Sequence, residues 1–334
     1  MISYEPWSTD LNSQHVTQIM KLTLICTLKD EEESVRELLD SILNQTRKPD
    51  EVIFVDGGSS DKTVEILKSY QKKIKNMKII VKKGSNIAQG RNIAIKNATS
   101  DFIASTDGGC ILDRDWLKNL VETQKRSKAD VIAGVFKPHP RNLFEFCVGE
   151  MICPNVEKLP DDWPPSSRSV LFSKKAWKKA GGYPENLYTA EDTLFNFNLK
   201  KTGSKYMIAR NAIVRWRMRP NFRKLFRQYY LYGRGDGHIL LPLLSLKNYN
   251  SLKSLSVIFG LYLYIILVIL SILYSHTLLI ILIALLLAYL VSPSFRIFAK
   301  RKSPKVFLYC PTINLIRRIG YFLGFHKGLL ERKV

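Results

Sequence analysis

Two hydrophobic periodicities alternate along the first third of the chain, and together they predict an α/β fold. Short, β-rich apolar runs occupy residues 22–26, 51–55, 78–81 and 101–105. Segments with apolar residues at helical spacing occupy residues 31–45, 61–72 and 88–97. This β-α-β-α order predicts a Rossmann-like parallel sheet with helices on both faces. Ligands of such sheets bind beyond the carboxyl ends of the strands, so the residues that follow each strand are the candidates for a site.

Two long apolar runs near the C-terminus predict a transmembrane helical hairpin with spans at about 255–274 and 277–295. The first run has 20 residues without a charge, and Ser275 and His276 alone separate it from the second. A stretch of about 20 apolar residues is long enough to cross a bilayer as a helix. A buried hairpin in a soluble protein is the alternative, but aliphatic runs this continuous are unusual in a soluble core.

The charge distribution agrees with a membrane region at 238–334. The net charge is +22, and only Asp236 and Glu331 are acidic after residue 200. Basic residues flank the hairpin on both sides, with Lys247 and Lys253 before it and Arg296 and residues 300–302 after it. Such residues favour the cytoplasmic side, and two spans return both flanks to that side. We therefore expect a multi-pass integral membrane protein whose preceding domain is cytoplasmic.

Three other parts of the chain complete the expected organisation. Residues 1–20 form a polar extension without the apolar core of a signal peptide. Residues 313–330 predict a basic amphipathic helix, which either lies in the membrane interface or packs on the hairpin. A nucleic acid is disfavoured as the anionic partner, because the excess charge flanks apolar spans instead of alternating with aromatic residues on a soluble surface.

The candidate chemistry begins where the first two predicted strands end. Thr27 follows the first strand, and Asp56 and Gly57 follow the second. A carboxylate followed by glycines can reach a ligand that the backbone approaches closely, and it can accept hydrogen bonds from a base or a ribose. Taken alone, the same residues describe an ordinary Asp-Gly turn before a capped helix.

Further candidates follow along the chain. Arg91 lies in the first turns of a predicted helix, where a guanidinium can hold a base or a phosphate, although a surface arginine is the simpler interpretation. Asp107 and Gly108 follow the strand at 101–105, and a carboxylate there suits a divalent cation that bridges a diphosphate. Glu191 and Asp192 open another helix, where an acid can act as a general base or simply favour the helix N-terminus.

These elements, in this order, resemble the family 2 glycosyltransferases of the GT-A fold. The resemblance covers residues 21–237 and rests on several short motifs. They are Gln45-Thr-Arg-Lys-Pro-Asp-Glu-Val-Ile, Val55-Asp-Gly-Gly-Ser-Ser-Asp, Gly90-Arg-Asn, Thr106-Asp-Gly-Gly, Gly181-Gly-Tyr and Glu191-Asp192. It implies a nucleotide-binding part at 21–110, an acceptor-binding part at 111–220 and an interfacial segment at 221–237.

The resemblance also implies roles for the candidates. Thr27, Asp56 and Gly57 would line the nucleoside pocket with Arg91 nearby, and Asp107 with Gly108 would meet the ribose and the metal-bound diphosphate. Asp192 would deprotonate the acceptor in an inverting transfer, supported by Glu191, with Mg²⁺ or Mn²⁺ as the cofactor. Arg227 and Arg234 are candidates for a phosphate or for the membrane interface.

Two departures from the family pattern narrow the expected activity. Gly109 replaces the second acid of the DxD motif, which weakens the expected metal site. Gln228-Tyr-Tyr-Leu-Tyr232 lacks the Arg and Trp of the QxxRW element, which argues against a processive synthase. The expected partners are a nucleoside-diphosphate sugar and a membrane lipid or lipid-linked acceptor. A polyprenyl (dolichyl) phosphate monosaccharide synthase and a non-catalytic membrane scaffold are the alternatives.

Overall fold

The structure, a computed structural model, describes residues 20–240, 244 and 249–331. The expected extension at 1–20 therefore lies, except for residue 20, outside the described residues, as does Lys247. One sheet of eight strands forms the centre of the described part. Its strands are β1 (Leu22–Leu28), β2 (Glu51–Asp56), β3 (Met77–Val81), β4 (Phe102–Asp107), β5 (Cys110–Leu112), β6 (Val131–His139), β7 (Val170–Ser173) and β8 (Tyr206–Arg217).

The strand order β3-β2-β1-β4-β7-β6-β8-β5 divides the sheet into two parts. Strands β3, β2, β1 and β4 are parallel, as the sequence predicted. Strand β7 joins β4 in the antiparallel direction and connects this part to β6, β8 and β5. The α/β fold class is confirmed, and the antiparallel junction brings the N-terminal end of β7 to the carboxyl end of β4.

Helices cover both faces of the sheet, and the alternation of side chains along each strand supplies both hydrophobic cores. In β1, Leu24 and Cys26 face one core and Ile25 faces the other. The first core includes residues of α1 (Val35–Leu43), α2 (Thr63–Tyr70) and α4 (Trp116–Ser127). The second includes residues of α3 (Ile87–Asn97), α6 (Lys174–Lys179) and α7 (Glu191–Lys201).

The C-terminal part is helical. After α5 (Leu143–Ile152), which lies between β6 and β7, the remaining helices are α8 (Phe222–His238), α9 (Tyr249–Tyr274), α10 (His276–Arg301) and α11 (Val306–Glu331). Ser275 alone separates α9 from α10, as expected for a tight hairpin. Among the described residues, α10 has the length and apolar composition of a membrane span, with a mean hydropathy of 2.6 in its most apolar window. The apolar part of α9, Ile258–Tyr274, is shorter.

The apolar side chains of the hairpin are largely exposed. Phe259, Leu273 and Ile280 are each more than 60% exposed, and only 17% of the apolar window of α10 is buried. A core helix of a soluble protein would bury such a surface against its neighbours, whereas a helix in lipid leaves it open. The exposed surface therefore supports membrane association.

The C-terminal helix α11 packs on α8 through glycines. A Cβ atom added at Gly324 would lie 1.9 Å from the carbonyl oxygen of Tyr230, and one at Gly237 would lie 2.3 Å from that of Phe325. The two backbones therefore touch, as small residues allow at close helix crossings. Leu315, Ile319 and Leu323 of α11 are each more than 40% exposed, so the helix keeps an open apolar surface besides its packed one.

Candidate functional site

The candidate site lies at the carboxyl ends of β1, β2 and β4. Thr27 stands in the ladder between Val55 of β2 and Asp107 of β4, so the ends of three strands meet around it. The Thr27 side chain is buried, and its hydroxyl has no hydrogen-bond partner among the described residues. A buried hydroxyl without a partner costs free energy, and a polar ligand atom that reached it would remove that cost.

Asp56 is engaged with its own turn. One carboxylate oxygen accepts hydrogen bonds from the backbone N–H groups of Gly58, at 2.9 Å, and Ser59, at 2.8 Å, and the other accepts from the Ser59 hydroxyl. Gly58 has a φ of +89°, a conformation that favours glycine. Gly57 approaches the backbone of Ser85, since a Cβ there would lie 3.1 Å from the Ser85 carbonyl oxygen. Asp56 thus shapes the loop, and its contact with a nucleoside stays a prediction.

Arg91 connects two acids that are far apart in the sequence. Its Nη2 donates to Oδ1 of Asp107 at 2.8 Å, and its Nη1 donates to Oε1 of Glu191 at 2.6 Å. The side chain is 2% exposed, and Tyr183 lies 5.3 Å from its guanidinium carbon. Burial alone would lower the pKa of Arg91, but Asp107 and Glu191 raise it above its ordinary value. Arg91 therefore carries a permanent charge between the expected diphosphate position and the expected base, and its contact with a nucleotide stays a prediction.

Glu191 and Asp192 open α7 directly after a backbone kink. Ala190 has a φ of +63°, which is an unfavourable left-handed conformation for a residue with a Cβ atom. Burial, together with the charge of Asp192, raises the pKa of Glu191 to about 7, while Arg91 acts in the opposite direction. Asp192 is partly exposed, whereas Glu191 is buried. The pair thus offers one accessible carboxylate and one buried carboxylate that is fixed to Arg91.

Arg168 is a residue of the site that the sequence reasoning missed. Its Nε lies 3.9 Å from Oδ2 of Asp107, and it is buried without a hydrogen-bond partner in the described part of the chain. The guanidinium stacks on the rings of Trp216, at 4.2 Å, and Phe136, at 4.9 Å. Stacking on an aromatic ring holds a guanidinium plane while its N–H groups stay able to donate.

The register of β4 and β7 explains why Arg168 reaches the site. Ser105 pairs with Val170 in this antiparallel ladder, and continuing the pairing by two residues brings Asp107 opposite Arg168. The signal in the sequence is therefore a basic residue two positions before a buried strand. It becomes informative only when the partner and direction of that strand are known.

Glu31 is a second missed residue. It lies before α1, and its side-chain carbon Cγ would be 3.0 Å from a Cβ atom at Gly108. A Cβ atom at Gly109, where the family's second DxD acid would begin, would lie 3.9 Å from Oε2 of Glu31. Burial raises the pKa of Glu31, while Ser34 and Arg219 act in the opposite direction. The space beside Gly109 is thus next to the carboxylate of Glu31, which follows β1, whereas Gly109 follows β4.

The donor set fits a divalent cation that is held mainly by a substrate. No group of three or more His, Cys, Asp and Glu side chains suited to a metal ion occurs among the residues that the structure describes. Asp107 uses Oδ1 for Arg91 and is 25% exposed, and its Oδ2 lies 3.9 Å from Nε of Arg168. Mg²⁺ commonly keeps one or two protein carboxylates and takes its other ligands from phosphates and water. Asp107 can serve as such a ligand.

The two arginines expected at a phosphate or at the interface lie on α8. Arg227 is exposed, whereas Arg234 donates from Nε to Oε2 of Glu331 at 2.6 Å and so connects α8 to the end of α11. Between the two glycines of α8 that face α11, Gly235 faces the opposite way. A Cβ atom there would lie 2.5 Å from the Thr189 hydroxyl and 2.9 Å from the Cβ of Ala190. Helix α8 thus supports the turn that precedes Glu191.

The chain is similar in sequence to known glycosyltransferases. The profile of Glycosyl transferase family 2 matches residues 23–179. The dolichyl N-acetyl-alpha-D-glucosaminyl phosphate 3-beta-D-2,3-diacetamido-2,3-dideoxy-beta-D-glucuronosyltransferase of Methanococcus voltae is 23% identical over 327 residues, which are 93% of this chain and 97% of that protein. The O-antigen chain rhamnosyltransferase RfbN of Salmonella typhimurium is 28% identical over 227 residues, which are 63% of this chain and 71% of that protein.

A solved structure shares the fold. The crystal structure of S. aureus TarS 1-349 in complex with UDP-GlcNAc superposes with a TM-score of 0.52 at 18% identity, covering 94% of this chain and 93% of that one. At this identity the likeness concerns the fold, which is of the GT-A type that the sequence predicted.

Proposed function

We propose that this chain, whose residues 23–179 match the profile of Glycosyl transferase family 2, is an inverting transferase that moves a sugar from a nucleoside diphosphate to a membrane-associated, lipid-linked acceptor. The observation that carries the proposal is the continuous charged path Asp107–Arg91–Glu191, next to Asp192. It connects the strand end expected to hold the diphosphate with the helix start expected to hold the acceptor.

In the proposed reaction, the carboxylate of Asp192 accepts the proton of the acceptor hydroxyl. The acceptor oxygen forms a bond to the anomeric carbon as the bond between that carbon and the diphosphate oxygen breaks, and the nucleoside diphosphate leaves. Glu191 and Arg91 hold the start of α7 in place, so that Asp192 keeps its position without being fixed itself.

Negative charge develops on the departing diphosphate, and this chain offers two groups to stabilise it. The guanidinium of Arg168, which is stacked and has an unpaired Nε, lies beside Asp107. Asp107 would hold a divalent cation, Mg²⁺ or Mn²⁺, which would supply further positive charge at the leaving group. Preorganised positive charge in a site of this kind commonly contributes several kcal/mol (about 3 or 4) to catalysis.

The proposed acceptor follows from the membrane region and from a relative. The M. voltae transferase, which is similar along 93% of this chain, is named for a dolichyl-linked acceptor. The exposed apolar hairpin and the basic residues after it support an integral, multi-pass protein with its catalytic domain on the cytoplasmic side. Both observations favour an acceptor presented at the membrane surface.

The test is transfer by membranes that contain the full chain, supplied with radiolabelled nucleotide sugars and a lipid extract. We expect label in the organic-extractable fraction with one donor. Asp192→Asn should lower the rate at least about 100-fold, because it removes the general base. Asp101→Asn is the matched control, since Asp101 is exposed at the opposite end of β4.

The product distinguishes the remaining candidates. A mass that shows one sugar on a polyprenyl phosphate identifies a monosaccharide synthase, and a sugar added to an existing lipid-linked glycan identifies the proposed function. Unchanged transfer by Asp192→Asn would rule out the assigned base. Absence of both transfer and donor hydrolysis with every donor would favour the non-catalytic scaffold.

A further inference from the structure

A pocket rich in arginine and tyrosine lies where α8, α10 and α11 meet. Its volume is about 360 Å³, and we call it the basic pocket. Its polar lining includes Arg296, Arg317, Arg318, Tyr229, Tyr289 and Tyr321, and no acidic residue lines it within the described ranges 20–240 and 249–331. The pocket is separate from the strand ends that form the candidate active site.

The three guanidinium groups have more donors than partners. Arg296 donates to the carbonyl oxygen of Glu150 at 2.8 Å, Arg317 to that of Met151 at 3.1 Å, and Arg318 to the hydroxyl of Tyr289 at 2.5 Å. Each guanidinium carries five N–H donors. The Nε atoms of Arg317 and Arg318 are buried without a partner, and no carboxylate pairs with any of the three arginines, in the part of the chain that the structure describes.

Such a cluster is unfavourable without an anion. Like charges repel, and a buried guanidinium donor that lacks an acceptor costs free energy. Aromatic rings hold two of the groups in place, since Arg317 lies 4.8 Å from the ring centre of Tyr229 and Arg318 lies 5.7 Å from that of Tyr289. A phosphate can accept several of these N–H groups at once and neutralise part of the charge.

The position of the basic pocket along α10 indicates which kind of phosphate-bearing molecule would reach it. Tyr289 and Arg296 bracket the end of the apolar run, and the basic residues 300–302 follow. In a membrane-inserted α10, this level is that of the lipid headgroups, where tyrosine and arginine are favoured. We propose that the basic pocket binds the phosphate headgroup of an anionic membrane lipid. The inference rests on the membrane insertion proposed above and does not depend on the transfer reaction.

Native mass spectrometry of the detergent-solubilised full chain tests the inference. We expect one molecule of phosphatidylglycerol to bind at least about tenfold more tightly than phosphatidylcholine, because both phosphates can accept hydrogen bonds but the choline cation neutralises its phosphate and is repelled by the three arginines. Arg317→Gln with Arg318→Gln should remove this preference. Lys302→Gln with Lys305→Gln, which removes two charges from the same end of the helices but outside the basic pocket, should keep most of it.

Several outcomes decide the matter. Equal loss in both double variants, or no preference in the wild-type protein, would overturn the inference. Displacement of the lipid by inorganic phosphate at equal concentration would assign the pocket to a soluble anion instead. Arg296→Gln provides a variant at an exposed position, and it should weaken lipid binding without unfolding. Sugar transfer is measured separately, so a failure of lipid binding with transfer intact contradicts only this inference.

Discussion

Asp107 lies between two guanidinium groups that are held in different ways. Arg91 is fixed by a second carboxylate, whereas Arg168 is fixed by aromatic rings and keeps an unpaired Nε. Arg91 has a carboxylate on each side, so its charge is balanced and it stabilises the arrangement of the site. Arg168 keeps an N–H group without a hydrogen-bond partner among the described residues, and this group can donate to a new negative charge. At the scale of single residues, we therefore propose that Arg91 holds the carboxylates of the site in place and that Arg168 stabilises the negative charge of the diphosphate.

This assignment predicts a specific kinetic effect. Arg168→Gln should lower kcat by about 100- to 1000-fold, as the loss of one group facing developing charge commonly does. Arg168→Lys should recover only part of the rate, because an ammonium group cannot both stack and donate in a plane. Steady-state kinetics with the identified donor measure both variants. Arg210→Gln, which removes a surface arginine paired with Asp161, is the control, and an equal effect there would contradict the assignment.

The pKa of Glu191 predicts how stability depends on pH. It is about 7 in the folded protein and near 4.5 for an ordinary glutamate, so the folded state binds more protons between these values. The stability that protonated Glu191 contributes is complete below about pH 4.5 and is lost as the pH rises through 7. Thermal unfolding at pH 5, 6, 7 and 8 should therefore show that the stability of Glu191→Gln increases relative to that of the wild type as the pH rises. A constant difference between the two proteins would contradict the raised pKa.

Motif spacing predicted three acids of the candidate site but not Glu31, and the structure shows which residues contact them. Asp107, Glu191 and Asp192 stand at a strand end or a helix start, positions that a local pattern reveals. Long-range packing brings Arg91 to Glu191, which is 100 residues away in the sequence. It likewise brings Arg168 to Asp107. A surface arginine and a buried one give the same local pattern, and so the sequence alone did not separate them.

At the scale of elements, α8 is the helix that connects the two halves of the molecule. Gly233 and Gly237 contact the backbone of α11, whereas Gly235, on the other side of α8, contacts Thr189 and Ala190. The Thr189 hydroxyl also donates to the carbonyl oxygen of Leu231 at 2.6 Å. A shift of α8 would therefore move the turn that sets the direction of Glu191 and Asp192.

The contact between α8 and α11 can be tested with one methyl group. Gly324→Ala places a carbon atom 1.9 Å from the Tyr230 carbonyl oxygen, which is far inside contact distance, so the helices must separate, at a cost of about 1–3 kcal/mol or more. We expect a lower Tm in detergent and a lower transfer rate. Gly260→Ala is the control, because its added carbon meets no atom within 4 Å and alanine favours a helix. Equal Tm values for the two variants would contradict the close packing.

Local periodicity predicted the early elements well and the later ones less completely. The parallel strands appeared within two residues of their expected bounds, since their apolar runs are short and bounded by turns. The helix expected at 31–45 spans only Val35–Leu43, because Glu31 turns back and its N–H donates to the Thr63 hydroxyl. The expected amphipathic helix at 313–330 is part of the longer α11, whose glycine face packs on a helix that is remote in sequence.

At the scale of the whole molecule, the hairpin lies in the sequence between the glycosyltransferase domain and the C-terminal helix α11. A shared core contains residues of α5, α8, the end of α10 and the start of α11, including Cys147, Leu225, Ile297 and Val306. The hairpin formed by α9 and α10 is thus an insertion between two segments that pack together. Truncation before the hairpin would remove α11 and expose the glycine surface of α8.

Two shortened chains test this organisation. A chain that ends at residue 240 should aggregate, whereas one in which about 30 Gly/Ser residues replace 241–295 should remain folded, because it keeps Ile297 in the shared core and the linker is long enough to reach the end of α10. The second chain should be released from membranes by alkaline carbonate, since it keeps only the apolar surface of α11, and the full chain should resist extraction. Size-exclusion chromatography and membrane fractionation measure both. Equal solubility of the two shortened chains would contradict a structural role for α11.

The glycine contacts of α8 also bear on the order of events during synthesis. The ribosome makes the transferase domain first, the hairpin next and α11 afterwards, so α8 meets its partner only after the hairpin has been translated. Until then, the turn at Thr189 and Ala190 rests on a helix that lacks its second support. A nascent chain therefore carries the site's acids before it can hold them in position. We therefore expect sugar transfer to begin only after α11 has packed on α8.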